Sequence, residues 1–239
     1  PSISSAEGVA KVCELAGIDP ATVDTVFHGT TVATNALIEN EGAKTGMLTT
    51  RGFRDVIHIG RHRKEHTFSM LFEQTQQADP IVPRRHRKPI TERIYPPGDV
   101  VRPLDEDEVL EAAGELVDDG VESVAVCYMH SYLNTAHEDR TKELIQEEFP
   151  ELTVSTSNEV VNQFREYERF TSTAINARLA PVMNQYLTRL EERLEESGFD
   201  ADLLIMQSSG GLASVRQVTR KPITTLLSGP AGGVLSGQF

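Results

Sequence analysis

The chain has 239 residues, 38% of them hydrophobic and 25% charged, with a formal net charge of −13. That length supports one large core or two modest ones, no apolar run approaches the ~20 residues of a membrane helix, and the acidic balance speaks against a nucleic-acid partner. The two cysteines, Cys13 and Cys127, make neither a disulfide framework nor a zinc site and read as buried thiols in apolar stretches. The opening PSISSAEGVAKV has no basic-then-apolar leader. The expectation is a cytoplasmic protein without a membrane partner. Pro1 in place of an initiator methionine suggests a piece of a longer chain.

In chain order, residues 4–16 read as an amphipathic helix closed by Gly17. TVDTVFHG is a short strand. Thr30 or Thr31 then caps a helix through Val32, Ala33, Ala36, Leu37 and Ile38, stopped near Gly42. KTGMLTT is the next strand. Residues 61–102 form an irregular excursion, because prolines at 80, 83, 89, 96 and 97 break long helices; ERIYP is a short strand within it. A clear alternation follows. Glu106–Val117 is a helix, ESVAVCYM a strand, His137–Phe149 a helix and LTVSTS a strand. Residues 158–197 are mostly helical with a break at Pro181, and DLLIMQ is a strand leading into SSGG. The runs at 121–130 and 202–207 are almost wholly apolar, as in strands covered on both faces. The fold class is therefore α/β, with mixed sheets and flanking helices.

Three stretches carry candidate chemistry. In HGTTVATN, Gly29 admits close approach of a ligand, Thr30, Thr31, Thr34 and Asn35 offer hydrogen bonds, and His28 can exchange a proton near neutral pH. The same residues also fit a plain N-cap with a threonine-rich first turn. In QSSGG, Ser208, Ser209, Gly210 and Gly211 suit a backbone cradle for phosphate or carboxylate, or an ordinary left-handed turn. In LSGPAGGVLSG, Gly229, Gly233 and Gly237 recur every four residues. On a helix that spacing makes a bare face for close approach; a flexible loop fits the glycines as well.

Other clusters read more plainly. His58, His62 and His66 stand four apart, but Arg61, Arg63 and Lys64 surround His62 and oppose a dication, so no metal site is expected. RRHRK at 84–88 reads as a partner-facing or salt-bridged loop. Arg165, Glu166, Glu168 and Arg169 read as a surface ion-pair network.

FHGTTVATNALIENEGAKTGMLTTRGFRDVIHIGR, VESVAVCYMHSYLNTAHE, EVVNQFREYERFTSTAINARLAPVM, LIMQSSGGL and LLSGPAGGVLSG, in this order, resemble the hydantoinase/oxoprolinase A family. The resemblance implies a lobe like those of actin, sugar kinases and heat-shock ATPases. It assigns residues 1–165 to the family's N-terminal region and 166–239 to the start of its catalytic region. It further implies an ATP-dependent amidohydrolase that phosphorylates and opens a cyclic amide or imide. ATP and Mg2+ would serve the full-length protein, alongside a B-type subunit or domain. His28 would move a proton or orient the substrate carbonyl, and Gly29 to Asn35 with Ser208 to Gly211 would line the substrate or phosphate. The helix bearing Gly229, Gly233 and Gly237 would sit at a hinge. No match to the family's glycine–threonine–aspartate phosphate loop is present, so little nucleotide binding is expected of these residues alone. The alternatives are a subunit of an ATP-dependent ketone carboxylase and a non-catalytic assembly module that docks through Arg61 to Lys88.

Overall fold

The computed structural model describes residues 2–61, 68, 70–71 and 75–228. Its elements in chain order are α1 (Ser2–Ala16), β1 (Thr25–His28), α2 (Val32–Ile38), β2 (Thr45–Thr50), α3 (Val56–Ile59), α4 (Thr75–Ala78), β3 (Arg87–Ile90), β4 (Arg93–Tyr95), β5 (Asp99–Arg102), α5 (Glu106–Asp118), β6 (Ser123–Cys127), α6 (Ala136–Glu148), β7 (Thr153–Thr156), α7 (Ser157–Val160), α8 (Glu166–Glu196), β8 (Asp202–Met206), β9 (Leu212–Ser214) and α9 (Val215–Arg220). They divide into two compact units, Ala43–Arg178 and the pair of segments Pro1–Gly42 and Leu179–Phe239. Among the described residues no helix is long and apolar enough to cross a membrane.

The unit formed by residues 43–178 is built on a four-stranded sheet in the order β3-β2-β6-β7, parallel throughout. Every residue of β2 and β6 is buried. Successive side chains of a strand point to opposite faces, and the two faces have separate cores. Leu48, Val124 and Val126 pack with Val109, Ala112, Ala113 and Leu116 of α5 and with Leu144 and Ile145 of α6. Met47, Ala125 and Cys127 pack with Ile57, Val82 and with Phe170, Ala174 and Ala177 of α8. The nearly unbroken apolar run over β6 is thus a strand covered on both faces. Helix α5 starts where the Asp105 carboxylate accepts from the Glu108 N–H at 3.0 Å, with three acidic residues in its first turn facing the positive end of the helix dipole. The strands β4 and β5 form a separate antiparallel pair.

In the other unit, β1 lies parallel to β8, and β8 pairs antiparallel with β9. Val26, Leu203, Ile205 and Ala213 are buried and share one face by register. The opposite face carries Phe27, 63% exposed, and Leu212, 46% exposed. Helix α1 ends at Gly17, whose φ of +66° lets the Ile18 N–H reach the Cys13 carbonyl at 2.9 Å, the left-handed closure that glycine favours.

Three expectations are corrected. The irregular excursion contains β3, a full member of the parallel sheet; Pro89 is accommodated there because β3 is an edge strand. Helix α8 runs through Pro181 without a break; buried Ala177, Ala180 and Met183 on either side hold the axis against the lost hydrogen bond. The break falls earlier, at residues 161–165, where Arg165 takes a φ of +86°. Strand β8 is not covered on both faces, since Leu203 and Ile205 are buried while Leu204 and Met206 are only half-buried.

Candidate functional site

The first candidate motif begins at the carboxyl end of β1. Residues His28 and Ile205 lie side by side in the parallel register. The turns that follow β1 and β8 therefore leave the same edge of one sheet. The two polar stretches singled out by sequence, HGTT and QSSGG, are brought together at that edge. Ligands of open α/β sheets gather at the carboxyl ends of strands.

His28 is half-buried on the covered face of β1. Its Nε2 lies 2.7 Å from the Tyr186 hydroxyl, which α8 presents from a nearly buried position. Burial holds the imidazole below its ordinary pKa, so it is neutral near pH 7. Nδ1 has no hydrogen-bond partner among the described residues. A neutral imidazole fixed through one nitrogen and open at the other is suited to proton transfer.

The predicted hydroxyls separate into two groups. Thr30 is buried; its Oγ1 accepts from the Val32 N–H at 3.2 Å, and its carbonyl accepts from the Ser228 hydroxyl at 3.0 Å. The Thr34 hydroxyl accepts from the Leu227 N–H at 3.0 Å. These residues tie α2 to the segment at 226–228 and serve the fold. Thr31 takes the N-cap position of α2 without a side-chain cap bond. Thr31 and Asn35 are exposed, and their side chains make no hydrogen bond among the described residues. At Gly29 a Cβ would meet nothing within 4 Å, so the space above the backbone is open there.

QSSGG is not followed directly by a helical turn. It is the bend of the β8–β9 hairpin, in which the Gln207 N–H donates to the Gly211 carbonyl at 2.8 Å and the Gly210 N–H to the Gln207 carbonyl at 3.0 Å. Gly210 has a φ of +84°, which explains that glycine by turn geometry. Ser208 is spent on the fold: its N–H and hydroxyl both donate to the Thr224 carbonyl, at 2.8 and 3.0 Å. Ser209 and Gly211 are exposed, and the Ser209 hydroxyl is unpartnered among the described residues. The open polar side chains are thus Thr31, Asn35 and Ser209, with open space at Gly29. They are neutral, as suits a carbonyl or phosphoryl oxygen. Gly229, Gly233 and Gly237 lie outside the described residues.

The remaining clusters differ from their sequence readings. His62 and His66 lie outside the described residues. Among the described residues no group of His, Cys, Asp and Glu is placed to hold a metal. Of RRHRK, Arg84 makes a two-pronged pair with Asp55, 3.0 Å on each prong, and Lys88 pairs with Glu115 at 2.5 Å. Arg87 is buried, with Nε on the Val82 carbonyl at 2.8 Å and Asp55 at 3.5 Å. The salt-bridged reading therefore applies to this segment, and Arg87 is no docking residue. Glu168 pairs with Arg61 at 2.5 Å, but Arg169 is buried at 1% exposure and belongs to no surface ion-pair network. The signal available in sequence was Thr173 at i+4, where a surface pair would carry an acid.

Sequence reading also missed a buried polar network at the carboxyl ends of β2, β6 and β7. Glu138, fully buried, accepts from the Tyr128 N–H at 2.9 Å, the Ser157 hydroxyl at 2.6 Å and the Asn158 N–H at 2.8 Å. Glu92 accepts from the Thr50 hydroxyl and lies 2.8 Å from His137 Nδ1.

The chain is thus an α/β fold with parallel and mixed sheets, flanking helices and open hydroxyl and amide groups at a carboxyl edge, where ligands of such sheets gather. The chain belongs to the hydantoinase/oxoprolinase family. Residues 3–149 match its N-terminal region and residues 169–238 match the hydantoinase/oxoprolinase model itself. It is 34% identical to the caprolactamase subunit alpha of Pseudomonas jessenii over 96% of this chain and 34% of that one. It is 31% identical to the acetophenone carboxylase gamma subunit of Aromatoleum aromaticum, over 91% of this chain and 31% of that one. The crystal structure of the ATP-dependent caprolactamase from Pseudomonas jessenii superposes with a TM-score of 0.83 at 34% identity, covering 95% of this chain and 33% of that one. The chain spans about a third of the length of the caprolactamase and acetophenone carboxylase subunits and less than a fifth of the 5-oxoprolinases it matches. The fold is that of part of an actin-like ATPase lobe.

Proposed function

We propose that the full-length protein carrying this chain is an ATP-dependent amidohydrolase that opens a cyclic amide or imide of the hydantoin or 5-oxoproline type. The observation that carries this reading is the similarity to an ATP-dependent caprolactamase along nearly the whole chain. The geometry supports it. The open side chains of Thr31, Asn35 and Ser209, with the open space at Gly29, follow the strand ends that carry His28, and fixed neutral donors stabilise charge developing on a carbonyl or phosphoryl oxygen. When bound, ATP with Mg2+ supplies the phosphoryl group that activates the amide oxygen. His28, neutral and anchored by Tyr186, takes or returns a proton at the substrate through Nδ1. Thr30, Thr34 and Ser208 hold the loops that present the donors. Residues 1–165 act as the N-terminal region and 166–239 as the start of the catalytic region. A B-type subunit or domain completes the enzyme in the cytoplasm; the subunit names of the relatives support a partner subunit.

The similarity to an acetophenone carboxylase subunit favours a second reading, an ATP-dependent ketone carboxylase subunit. The test is ATP cleavage by the full-length protein with its partner subunit. Hydantoin, 5-oxoproline and caprolactam are offered in turn, then acetone with bicarbonate. Stimulation by a cyclic amide with release of the ring-opened acid is expected. Stimulation only by the ketone with bicarbonate would establish the second reading, and no stimulation by any of them would remove both. In the amidohydrolase, His28→Ala is expected to lower turnover about 10²-fold or more with a nearly unchanged melting temperature. A large loss of stability with normal turnover in the folded fraction would make His28 structural.

A further inference from the structure

The four-stranded sheet has its own ligand-binding geometry, separate from the edge that carries His28. Its order, β3-β2-β6-β7, means that the chain leaves β2 toward β3 on one side and later fills β6 and β7 on the other. The switch lies between β2 and β6. In open α/β sheets a crevice at such a point, outside the carboxyl ends of the strands, is where ligands bind. Here those ends are Thr50 and Cys127, followed by Tyr128 to Tyr132.

Arg169 reaches this place from α8. Its guanidinium donates to the Tyr128 carbonyl at 2.8 Å and to the Gln163 carbonyl at 3.1 Å. The rings of Tyr132 and Phe170 each lie 5.3 Å from it. Its Nε–H is buried without an acceptor, and among the described residues no carboxylate stands within ion-pair distance. The nearby buried acid, Glu138, spends its oxygens on Tyr128, Ser157 and Asn158. Arg87, the other fully buried arginine of this unit, has Asp55 as counter-ion. Glu138 is electrostatically coupled to Arg169 but makes no hydrogen bond to it, and a buried donor left orphaned is unfavourable unless something supplies its acceptor. Beside it, the half-buried His130 stands at a φ of +61°, a conformation a non-glycine residue holds only when its surroundings impose it. Tyr95, His130, Tyr132 and Phe164 follow one another with ring centroids 5.9–6.0 Å apart and form an aromatic wall that is exposed at both ends.

We propose that this crevice is an oxyanion site: Arg169 is the buried counter-charge for a carboxylate or phosphoryl group of a small molecule, which enters along the aromatic wall and meets His130. Each terminal nitrogen spends one N–H on a carbonyl, and Nε–H is the donor left wholly without an acceptor, so it makes the first contact with the anion. The site stands on these residues whichever reaction the full-length protein runs.

The test is calorimetric titration of the full-length protein with inorganic phosphate and, separately, with acetate, at ionic strength held constant with chloride. Saturable binding of at least one of them is expected, and which one binds identifies the group. No saturable binding of either overturns the proposal. Arg169→Met is expected to weaken the binding at least about tenfold; a folded Arg169→Met protein that binds as well as wild type also overturns it. If that variant does not fold, His130→Asn decides, because asparagine tolerates the left-handed backbone. Weaker binding by folded His130→Asn supports the site, and unchanged binding by it removes the site.

Discussion

In the unit built on β2, β3, β6 and β7, the polar side chains at the strand ends are largely buried and bonded to one another. In the unit built on β1, β8 and β9, Thr31, Asn35 and Ser209 are exposed and have no side-chain partner among the described residues. Both sets stand at carboxyl edges of parallel strands, so topology alone does not separate them. What separates them is covering. Strand β6 is packed on both faces, and the ends of its sheet lie under α6, α7 and α8, where each polar atom must find a bond. Strand β8 is covered on one face, and water can satisfy what the fold does not. Substitutions of the mutually bonded groups in the first unit, such as Glu138, should register as stability, and those at the open edge of the second as function.

The largest effect is expected at Glu138. Its carboxylate takes hydrogen bonds from two main-chain N–H groups and one hydroxyl, joining the end of β6 to the start of α7. Glu138→Leu leaves these donors buried and unpaired, and about 3–5 kcal/mol of stability should be lost. Glu138→Gln, which keeps one acceptor oxygen, should lose less. Urea midpoints of the full-length protein measure both. Equal midpoints for wild type and Glu138→Leu would mean that this end of the sheet is as open as the other.

An effect of opposite sign in pH distinguishes the two units further. Burial depresses the pKa of His28 below its ordinary value of 6.5, so the unfolded chain binds the proton more readily. The stability tied to neutral His28 is complete above about pH 6.5 and is lost as pH falls through the lower folded value, by at most about 1.4 kcal/mol per pH unit. Burial raises the pKa of Glu138 above 4.5, so its contribution is complete below that value and is lost as pH rises through the folded one. Chemical denaturation between pH 5 and 7 should therefore show a smaller acid-side loss in His28→Gln than in wild type. Identical pH profiles would mean that His28 is not held neutral by burial.

Much of this fold was legible in the residues, and the exceptions have physical reasons. Gly17 announced the end of α1, because that signal acts within one turn of helix. Strands β2, β6 and β7 of the parallel sheet were visible as strands, while β3, inside the proline-rich excursion, was not. The identical-looking run at β8 misled, because covering depends on elements far away in sequence. Strand β9 is three residues long, too short for alternation to register, so the hairpin read as a cradle. His28, Gly29, Thr31, Asn35 and Ser209 were legible as polar residues at strand ends. Their division from Thr30, Thr34 and Ser208 was not, since the partners of those three include Ser228, Leu227 and Thr224. Arg169 was misread for the same reason: local spacing showed charges on a helix, and only the carbonyls of Tyr128 and Gln163 show that it is buried.

The smallest effects come from two glycines, one in each unit, each replaced by alanine. Gly46 lies within β2, and a Cβ there would stand 2.8 Å from Cδ1 of Leu116 and 3.0 Å from its Cδ2. Gly46→Ala therefore pushes α5 or its leucine away from the sheet. The methyl groups at the end of a leucine can give way, so the loss should sit near the low end for overpacking, about 1 kcal/mol. Gly29 has open space where its Cβ would go, and its φ is not among the positive ones. Gly29→Ala should therefore fold as well as wild type and melt at the same temperature, with alanine even limiting the unfolded chain. Any fall in ATP-coupled turnover must then come from the space that the methyl occupies, which is the space a ligand approaching the backbone needs. The expected pair of results is lower stability without a specific loss of turnover for Gly46→Ala, and a loss of turnover without lower stability for Gly29→Ala. Full turnover in Gly29→Ala would show that nothing comes close to this stretch of backbone, and the edge that carries His28 would be a plain helix cap.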